Sequence, residues 1–461
     1  MYLTKRLIEH RLPDGSCLVL NTLSGAVDVI EAETWETLKS GDPRRLDALP
    51  PSLLKRLRDR SYIFASLAGE KRCLGRVRQL AARQAEFTPT QYVFNLTYKC
   101  NMACAYCFEG DLTDGDLTMS VDDVRAALRA VDTLASRMSP NYTFVLFGGE
   151  PLLPANRDLV RLVLDRARAA DVKVQIVTNG YYLGDYVAEL CSYAGVIDQI
   201  QVTIDGPEEV HDRRRPLKGG GPTFKAVTAG VEKALAGRLR VSVRANVDRD
   251  NIEDFPRLVD WVEEKGWLPL SDFSCYAYPV THHRREASPA AMTEGDLLAY
   301  LQRTFRGQSS LLQVLGARGF KSLAHIANVI DPESVSVECP PLDRYCEAVA
   351  NGHWSFAPDG LIYPCSQSLG VTEMAVGRYR PDLVVDETKT RLWKKRNVFE
   401  MTQCQECSYA LICGGGCAFE AWSAHGDIGR NACGTTRAVV HAYLDRMTGY
   451  ILNAPDRGEV G

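Results

Sequence analysis

The chain has 461 residues, 45% of them hydrophobic and 24% charged, a globular balance with length enough for two or three domains that each bury a core. Its formal net charge of −4 gives no general attraction to nucleic acid or to an anionic membrane surface, and no apolar run is long enough to cross a bilayer. The opening "MYLTKRLIEHRLPDG" lacks the apolar core and cleavage site of a secretory signal, so a cytoplasmic location is expected.

Residues 1–88 read as a small N-terminal module, with strand-like runs "SCLVLNT" and "GAVDVIE" followed by helical segments. The basic stretches "KRLRDR" and "EKRCLGRVRQLAAR" read as solvated helix faces. From 89 to 300, β-branched and aromatic runs predict strands at 92–97, 142–147, 172–178, 198–205, 240–247 and 271–278. Apolar residues at helical spacing predict helices between them, the first from an N-cap at Ser120, then at 155–170, 185–195, 223–237 and 251–265. Six such units with short connections imply an α/β fold, a parallel sheet in an open or partial (β/α)6 barrel, whose chemistry gathers at the C-terminal ends of the strands. Residues 301–338 read as a helical bridge. A cysteine-rich domain, 339–440, follows, in which Gly, Pro and Cys replace regular periodicity, and 441–461 form a last helix and tail.

Fifteen cysteines without a secretion signal call for metal binding or catalysis instead of disulfides. Eight fall between Cys339 and Cys433 and three in "YKCNMACAYCFEG", while Cys17, Cys73, Cys191 and Cys275 are scattered and read as small buried hydrophobes. Cys100, Cys104 and Cys107, spaced CxxxCxxC after the first strand, can hold three irons of a four-iron cubane and leave the fourth open, as a catalytic site does. A zinc loop that borrows a distant fourth ligand is the alternative reading of the spacing. One βα unit later "FGGEP" offers two glycines that allow close backbone approach and a carboxylate, Glu150, suited to an ammonium group.

Together these motifs, with the aromatic Tyr106 before Cys107, resemble the radical S-adenosylmethionine (SAM) superfamily. The resemblance implies that SAM fills the open iron, that Gly148, Gly149 and Glu150 contact its amine, and that Thr178 and Asn179 of "TNG" form a ribose-contacting edge. It further implies that Thr203 contacts the ribose or methionyl part, and Arg215 of "HDRRRP" the carboxylate.

Toward the C-terminus, Cys346-x13-Gly360-x4-Cys365 is followed by Cys404-x2-Cys407-x5-Cys413-x3-Cys417 and Cys433, with Cys339 upstream as an eighth thiol. This resembles the SPASM extension of radical SAM enzymes. Two zinc ions are the alternative occupants. The resemblance implies two fully ligated auxiliary [4Fe-4S] clusters with interleaved ligands, Cys339, Cys346, Cys365 and Cys417 for the first and Cys404, Cys407, Cys413 and Cys433 for the second. With the SAM-binding cluster this makes three.

SPASM proteins resembling this chain modify ribosomally made peptides, which implies reductive cleavage of SAM to a 5′-deoxyadenosyl radical, hydrogen abstraction from a precursor peptide, and a thioether, C–C or C–O cross-link. The implied partners are a precursor peptide with its leader and a flavodoxin- or ferredoxin-type electron donor, with neither nucleic acid nor membrane. The N-terminal module resembles winged-helix-like leader-recognition domains, which take a leader as an added strand; a packing cap is the alternative. Three other readings stand: a small-molecule dehydrogenase, a non-catalytic iron–sulfur protein, and a sulfatase-maturating, formylglycine-forming enzyme. The last is disfavoured because such maturases carry an Asp after the Gly-x4-Cys cysteine, where this chain has Ser366, a poor proton acceptor. Asp205, Glu109, Tyr276 and His353 are the candidate proton acceptors.

Overall fold

In the N-terminal module, β1 (Tyr2–Leu3) pairs antiparallel with β5 (Ile63–Phe64), and β2 (Leu7–Arg11), β3 (Cys17–Asn21) and β4 (Val27–Ile30) form an antiparallel meander. The structure, a computed structural model, describes residues 1–137, 141–280, 289–305, 342–350, 352–434 and 436–453. The whole of β3 is buried because both faces of the meander are covered. One face packs on Trp35 and Leu38 of α1 (Ala32–Ser40) and on Leu54 and Leu57, which lie beyond the short α2 (Pro43–Asp47) on α3 (Pro51–Asp59). The other face packs on Ile412, Val440 and Leu444 from the far end of the chain. Of the three meander strands the sequence announces two; β2 carries Glu9, His10 and Arg11, which mask its alternation. Helix α4 (Leu67–Phe87), capped by Ser66, leads out of the module.

The central sheet begins with β6 (Thr90–Asn95), β7 (Tyr142–Phe147), β8 (Val174–Thr178), β9 (Ile197–Thr203), β10 (Val241–Val247) and β11 (Phe273–Pro279), six parallel strands side by side in chain order. Helices α5 (Val121–Arg137), α6 (Arg157–Ala170), α7 (Leu183–Cys191), α9 (Phe224–Ala236) and α10 (Phe255–Glu264) form the connections, joined by a short α8 (Glu208–Arg214) that the sequence reading left out. Each strand turns its bulky residues toward the helices: Tyr92, Phe94, Phe144, Leu146, Ile176 and Val202 are all fully buried in one core. Alternate residues make the opposite, inner face, which is mostly polar: Gln91, Thr143, Gln175, Gln199, Gln201, Arg244 and Tyr276 are half-buried there, with Val93, Val145, Phe147 and Val177 between them. A parallel sheet with one mostly polar face encloses something other than a hydrophobic core.

Beyond residue 339 the chain is more regular than its composition predicts. Strand β12 (His353–Phe356) adds to the free side of β6 as a seventh parallel strand, and β13 (Leu361–Tyr363), β14 (Gly377–Arg378) and β15 (Val384–Val385) continue the sheet antiparallel. The helix Thr436–Asn453 packs against α11 (Glu294–Thr304) and runs through the boundary expected at 440. Of the expected bridge, residues 301–304 close α11; residues 306–338 and Cys339 lie outside the described residues. No helix among the described residues is long and apolar enough to cross a membrane.

Candidate active site

The loop that follows β6 is anchored from both sides. Ala103 N–H donates to Pro216 O at 2.9 Å and Lys218 N–H to Asn101 O at 2.8 Å, so the cysteines lie against the segment after α8. Cys100, Cys104 and Cys107 are partly buried free thiols that sense one another electrostatically. Burial pushes the Cys100 thiol up to about 11 and the Cys107 thiol up to about 12. Thiols held protonated in this way ionise when a cation takes the place of the proton.

The glycine motif closes on this loop. Glu150 N–H donates to Lys99 O at 2.8 Å and Gly149 N–H to the Glu109 carboxylate at 3.0 Å. Gly149 has φ +47°, and a Cβ there would lie 2.3 Å from Lys99 O, so only glycine fits. Glu150 has no exposed surface. Its carboxylate accepts from Thr178 Oγ1 at 2.7 Å, Asn179 N–H at 2.7 Å and Leu152 N–H at 2.8 Å, which fixes its orientation. Burial nonetheless raises its pKa from the ordinary carboxylate value, outweighing the three donors and the more distant Arg215 that oppose it. Asn179 Nδ2 reaches Asn101 Oδ1 at 2.8 Å and lies 3.6 Å from Cys100 Sγ, tying the third strand's end to the cysteine loop.

From the other side comes Arg215. Of the three consecutive arginines, Arg213 is exposed, Arg214 forms an ion pair with Asp248 at 2.9 Å, and Arg215 turns inward beside Cys104. Its Nη1 donates to Tyr106 Oη, whose hydroxyl in turn donates to Asp205, while its Nε is buried without an acceptor. A cationic group with an unused donor, a buried carboxylate with no ion pair among the described residues and a glycine cradle surround the three thiols, the donor set a chelating amino acid requires.

Residues 94–262 match the family model of the Radical SAM superfamily. These residues form a radical SAM domain. The Fe-coproporphyrin III synthase of Methanosarcina barkeri is 29% identical over 174 residues, 38% of this chain and 41% of that one, so the chain spans less than half of this relative. The PqqA peptide cyclase of Ruegeria pomeroyi is 24% identical over 360 residues, 74% of this chain and 85% of that one. Two solved structures share the fold: anSMEcpe with bound AdoMet, with TM-score 0.59 at 16% identity over 80% of this chain and 97% of that one, and Streptococcus suis SuiB bound to precursor peptide SuiA, with TM-score 0.52 at 14% identity over 93% and 98%.

The remaining expected residues lie in different surroundings. Thr203 is buried at the end of β9, level with Arg244. Asp205, 1% exposed, accepts from Tyr106 and from Asn246 N–H at 2.9 Å, and it anchors the site's wall. Glu109 is committed to Gly149. Tyr276 lies on the inner face and donates to Gln201 Oε1 at 2.8 Å. His353 Nε2 lies 2.9 Å from Ser355 Oγ and 3.2 Å from Ser366 Oγ, so the residue after Cys365 shares a polar cluster with a histidine.

The C-terminal thiols fall into two neighbourhoods. Cys365 has Cys346 and Cys417 as its sulfur neighbours, and Cys404 has Cys413, Cys407 and Cys433. Cys413 and Cys417 face different neighbourhoods because "GGG" between them turns in left-handed conformation, with φ of +65°, +86° and +78°. Among the described residues no three His, Cys, Asp or Glu side chains close on a point that would suit a single metal ion. A cubane holds its thiolates at separate corners, whereas zinc draws four ligands to within bonding distance of one centre.

Sequence reasoning missed Asn246, Arg214 and Asp248, which brace Asp205 and Tyr106. The only signal was period two: Arg244 and Asn246 alternate with buried Val243 and Ala245, marking the inner face of β10.

Proposed function

We propose that the chain is a peptide maturase that forms an intramolecular cross-link in a ribosomally made precursor peptide. The reading is carried by one arrangement: a three-thiol loop with a SAM-shaped donor set, in the same chain as a distal region whose described thiols gather as three and as four. Supporting it are the mostly polar inner face, which suits amide and side-chain groups of a polypeptide better than an apolar metabolite, and the likeness to the peptide cyclase over most of both chains.

Cys100, Cys104 and Cys107 would hold the reactive cluster; Cys346, Cys365 and Cys417, with Cys339, the first auxiliary cluster; and Cys404, Cys407, Cys413 and Cys433 the second. A reduced cluster with SAM held by these residues would supply radical chemistry, the abstraction of a hydrogen atom from substrate carbon. Glu150 orients the ammonium of SAM, held in place by Thr178 and Asn179. Arg215 receives the carboxylate, kept in position by Tyr106. The inner face would take the peptide, with Tyr276 and His353 the polar groups available to move a proton at Oη and Nε2. A flavodoxin- or ferredoxin-type protein would deliver the electron. In the N-terminal module, β2 and β4 are the sheet edges, and a leader would add to one of them.

Anaerobic incubation of the reconstituted protein with SAM, dithionite and any short peptide found encoded next to it tests this. Expected are 5′-deoxyadenosine and a peptide lighter by a pair of hydrogens. Absence of 5′-deoxyadenosine overturns catalysis. Its formation with an unchanged peptide points to the small-molecule dehydrogenase, and formylglycine in a sulfatase-derived peptide overturns the cross-linking reading.

A further inference from the structure

Arg396, just past the helix Glu387–Lys395, is 3% exposed. Its Nη2 donates to Gly415 O at 2.9 Å and Gly416 O at 3.0 Å, and its Nη1 to Ile428 O and Arg430 O. The fork thus grips the glycine turn between Cys413 and Cys417 and the strand of chain leading to Cys433. Gly416 has no space for a side chain, since a Cβ would lie 1.8 Å from Ala432 O, so the turn's carbonyls are fixed where the guanidinium meets them.

Arg214, similarly enclosed, is flanked by Asp205 and Asp248, whereas no ion pair to Arg396 occurs among the described residues. Its Nε is buried with no acceptor. A guanidinium removed from water costs several kcal/mol unless an opposite charge stands near. The groups that act on it are sulfurs: Cys417 and Cys346 from one neighbourhood, Cys404 and Cys413 from the other. Burial lowers its pKa from the ordinary value and these four oppose the shift.

We infer that Arg396 is the shared counter-charge of the two auxiliary clusters, a positioning residue that fixes the Cys413–Cys417 crossing and holds both clusters at a higher reduction potential. This rests on the two-cluster reading above. A fixed positive charge favours the more negative, reduced state of each cluster, and net charge and hydrogen bonding are the levers a protein has on such potentials. Because one cation serves both, the two potentials move together.

The test compares Arg396→Gln, which removes the charge, with Arg396→Lys, which keeps it but loses the fork. Potentiometric titration followed by electron paramagnetic resonance, with iron analysis, is done on reconstituted full-length protein. Wild-type protein comes first: iron for the SAM-binding cluster alone ends both the two-cluster reading and the inference. With all clusters present, Arg396→Gln is expected to move both auxiliary signals to more negative potential, leaving the SAM-binding cluster unmoved, and Arg396→Lys to stay near wild type. A shift in one auxiliary cluster alone, or unchanged potentials in fully loaded Arg396→Gln, overturns the inference. Should Arg396→Gln fail to retain iron, Arg396→Lys decides: two auxiliary signals at wild-type potential support the charge, and equal loss of iron refutes it.

Discussion

The hydroxyl of Tyr106 donates to the carboxylate of Asp205, ninety-nine positions along the chain, and through that contact the cysteine loop is joined to the end of the fourth strand. The same oxygen accepts from Arg215, so the tyrosine between Cys104 and Cys107 holds the arginine proposed to receive the SAM carboxylate. Tyr106→Phe keeps the ring, over which the Arg214 guanidinium sits at 5.0 Å, and removes only the hydroxyl. A buried hydrogen bond to a charged group contributes about 1.5–3 kcal/mol. The variant is expected to bind SAM about tenfold or more weakly with its iron content unchanged. An equilibrium titration of SAM against reconstituted protein checks this, and an unaltered dissociation constant would remove Tyr106 from the carboxylate site.

Gly149 stands where the second strand's turn touches the cysteine loop. Gly149→Ala puts a methyl group 2.3 Å from Lys99 O and 2.8 Å from Tyr98 C, backbone atoms with nothing flexible to give way, at a φ of +47° that L-residues disfavour. The expected outcome is a loss of stability of about 2–4 kcal/mol and poor loading of the SAM-binding cluster, since the loop bearing Cys100 must shift. Thermal denaturation and iron analysis read the two effects. Normal values for both would mean that the turn and loop are not held together as described.

Six strands and the cysteine loop were legible because β-branched runs, helical periodicity and cysteine spacing are local signals. Strand β7 falls at the residues expected, and β8 starts two residues late because Asp171 and Val172 still close the end of α6, with Val172 N–H donating to Ala167 O at 2.9 Å. Helix α8 hid in "EEVHDRR", seven residues with one buried aliphatic, too short for a period to show. The addition of β12 to β6 joins His353 to Gln91 across 262 positions, and nothing in either segment names its partner. The same holds for the site's wall: Tyr106, Asp205, Asn246 and Arg215 come from four separate segments, and topology alone assembles them.

His211 is wholly buried beside Phe224, with its Nδ1 accepting from Asp205 N–H at 3.3 Å. Burial, with the nearby Arg215 adding to it, holds its pKa well below the usual histidine value. Between that lowered pKa and about 6.5 the unfolded chain binds a proton that the folded chain refuses, so stability falls as pH drops below about 6.5. One such proton contributes a slope of at most about 1.4 kcal/mol per pH unit. His211→Asn, which keeps an acceptor near the Asp205 amide, is expected to flatten the fall in melting temperature between about pH 7 and pH 5. Parallel curves for variant and wild type would show that the histidine's burial carries no such penalty.

Arg6 ties the N-terminal module to the second set of C-terminal cysteines. It is 6% exposed, its Nη1 donates to Cys407 O at 2.6 Å and Cys404 O at 3.2 Å, and its Nη2 donates to Gln405 O. Thr22 Oγ1 adds a bond to Ser408 O at 2.8 Å, and Leu23 packs in one cluster with Met401, Cys404 and Leu411. The module therefore lines the Cys404–Cys407 turn, whatever else it binds. Deleting residues 1–85 would uncover Leu411 and remove the side-chain donors to four carbonyls, those of Cys404, Gln405, Cys407 and Ser408, so iron should be lost from the second set together with any peptide affinity. Arg6→Gln separates these effects, because the sheet proposed to take a leader stays in place while the turn loses most of its clamp, at a cost of about 2–3 kcal/mol. Expected are reduced iron per chain, cleavage by added protease near residues 404–408, and unchanged binding of a labelled leader peptide. Full iron content with an unaltered digestion pattern would show that the turn holds its shape without Arg6.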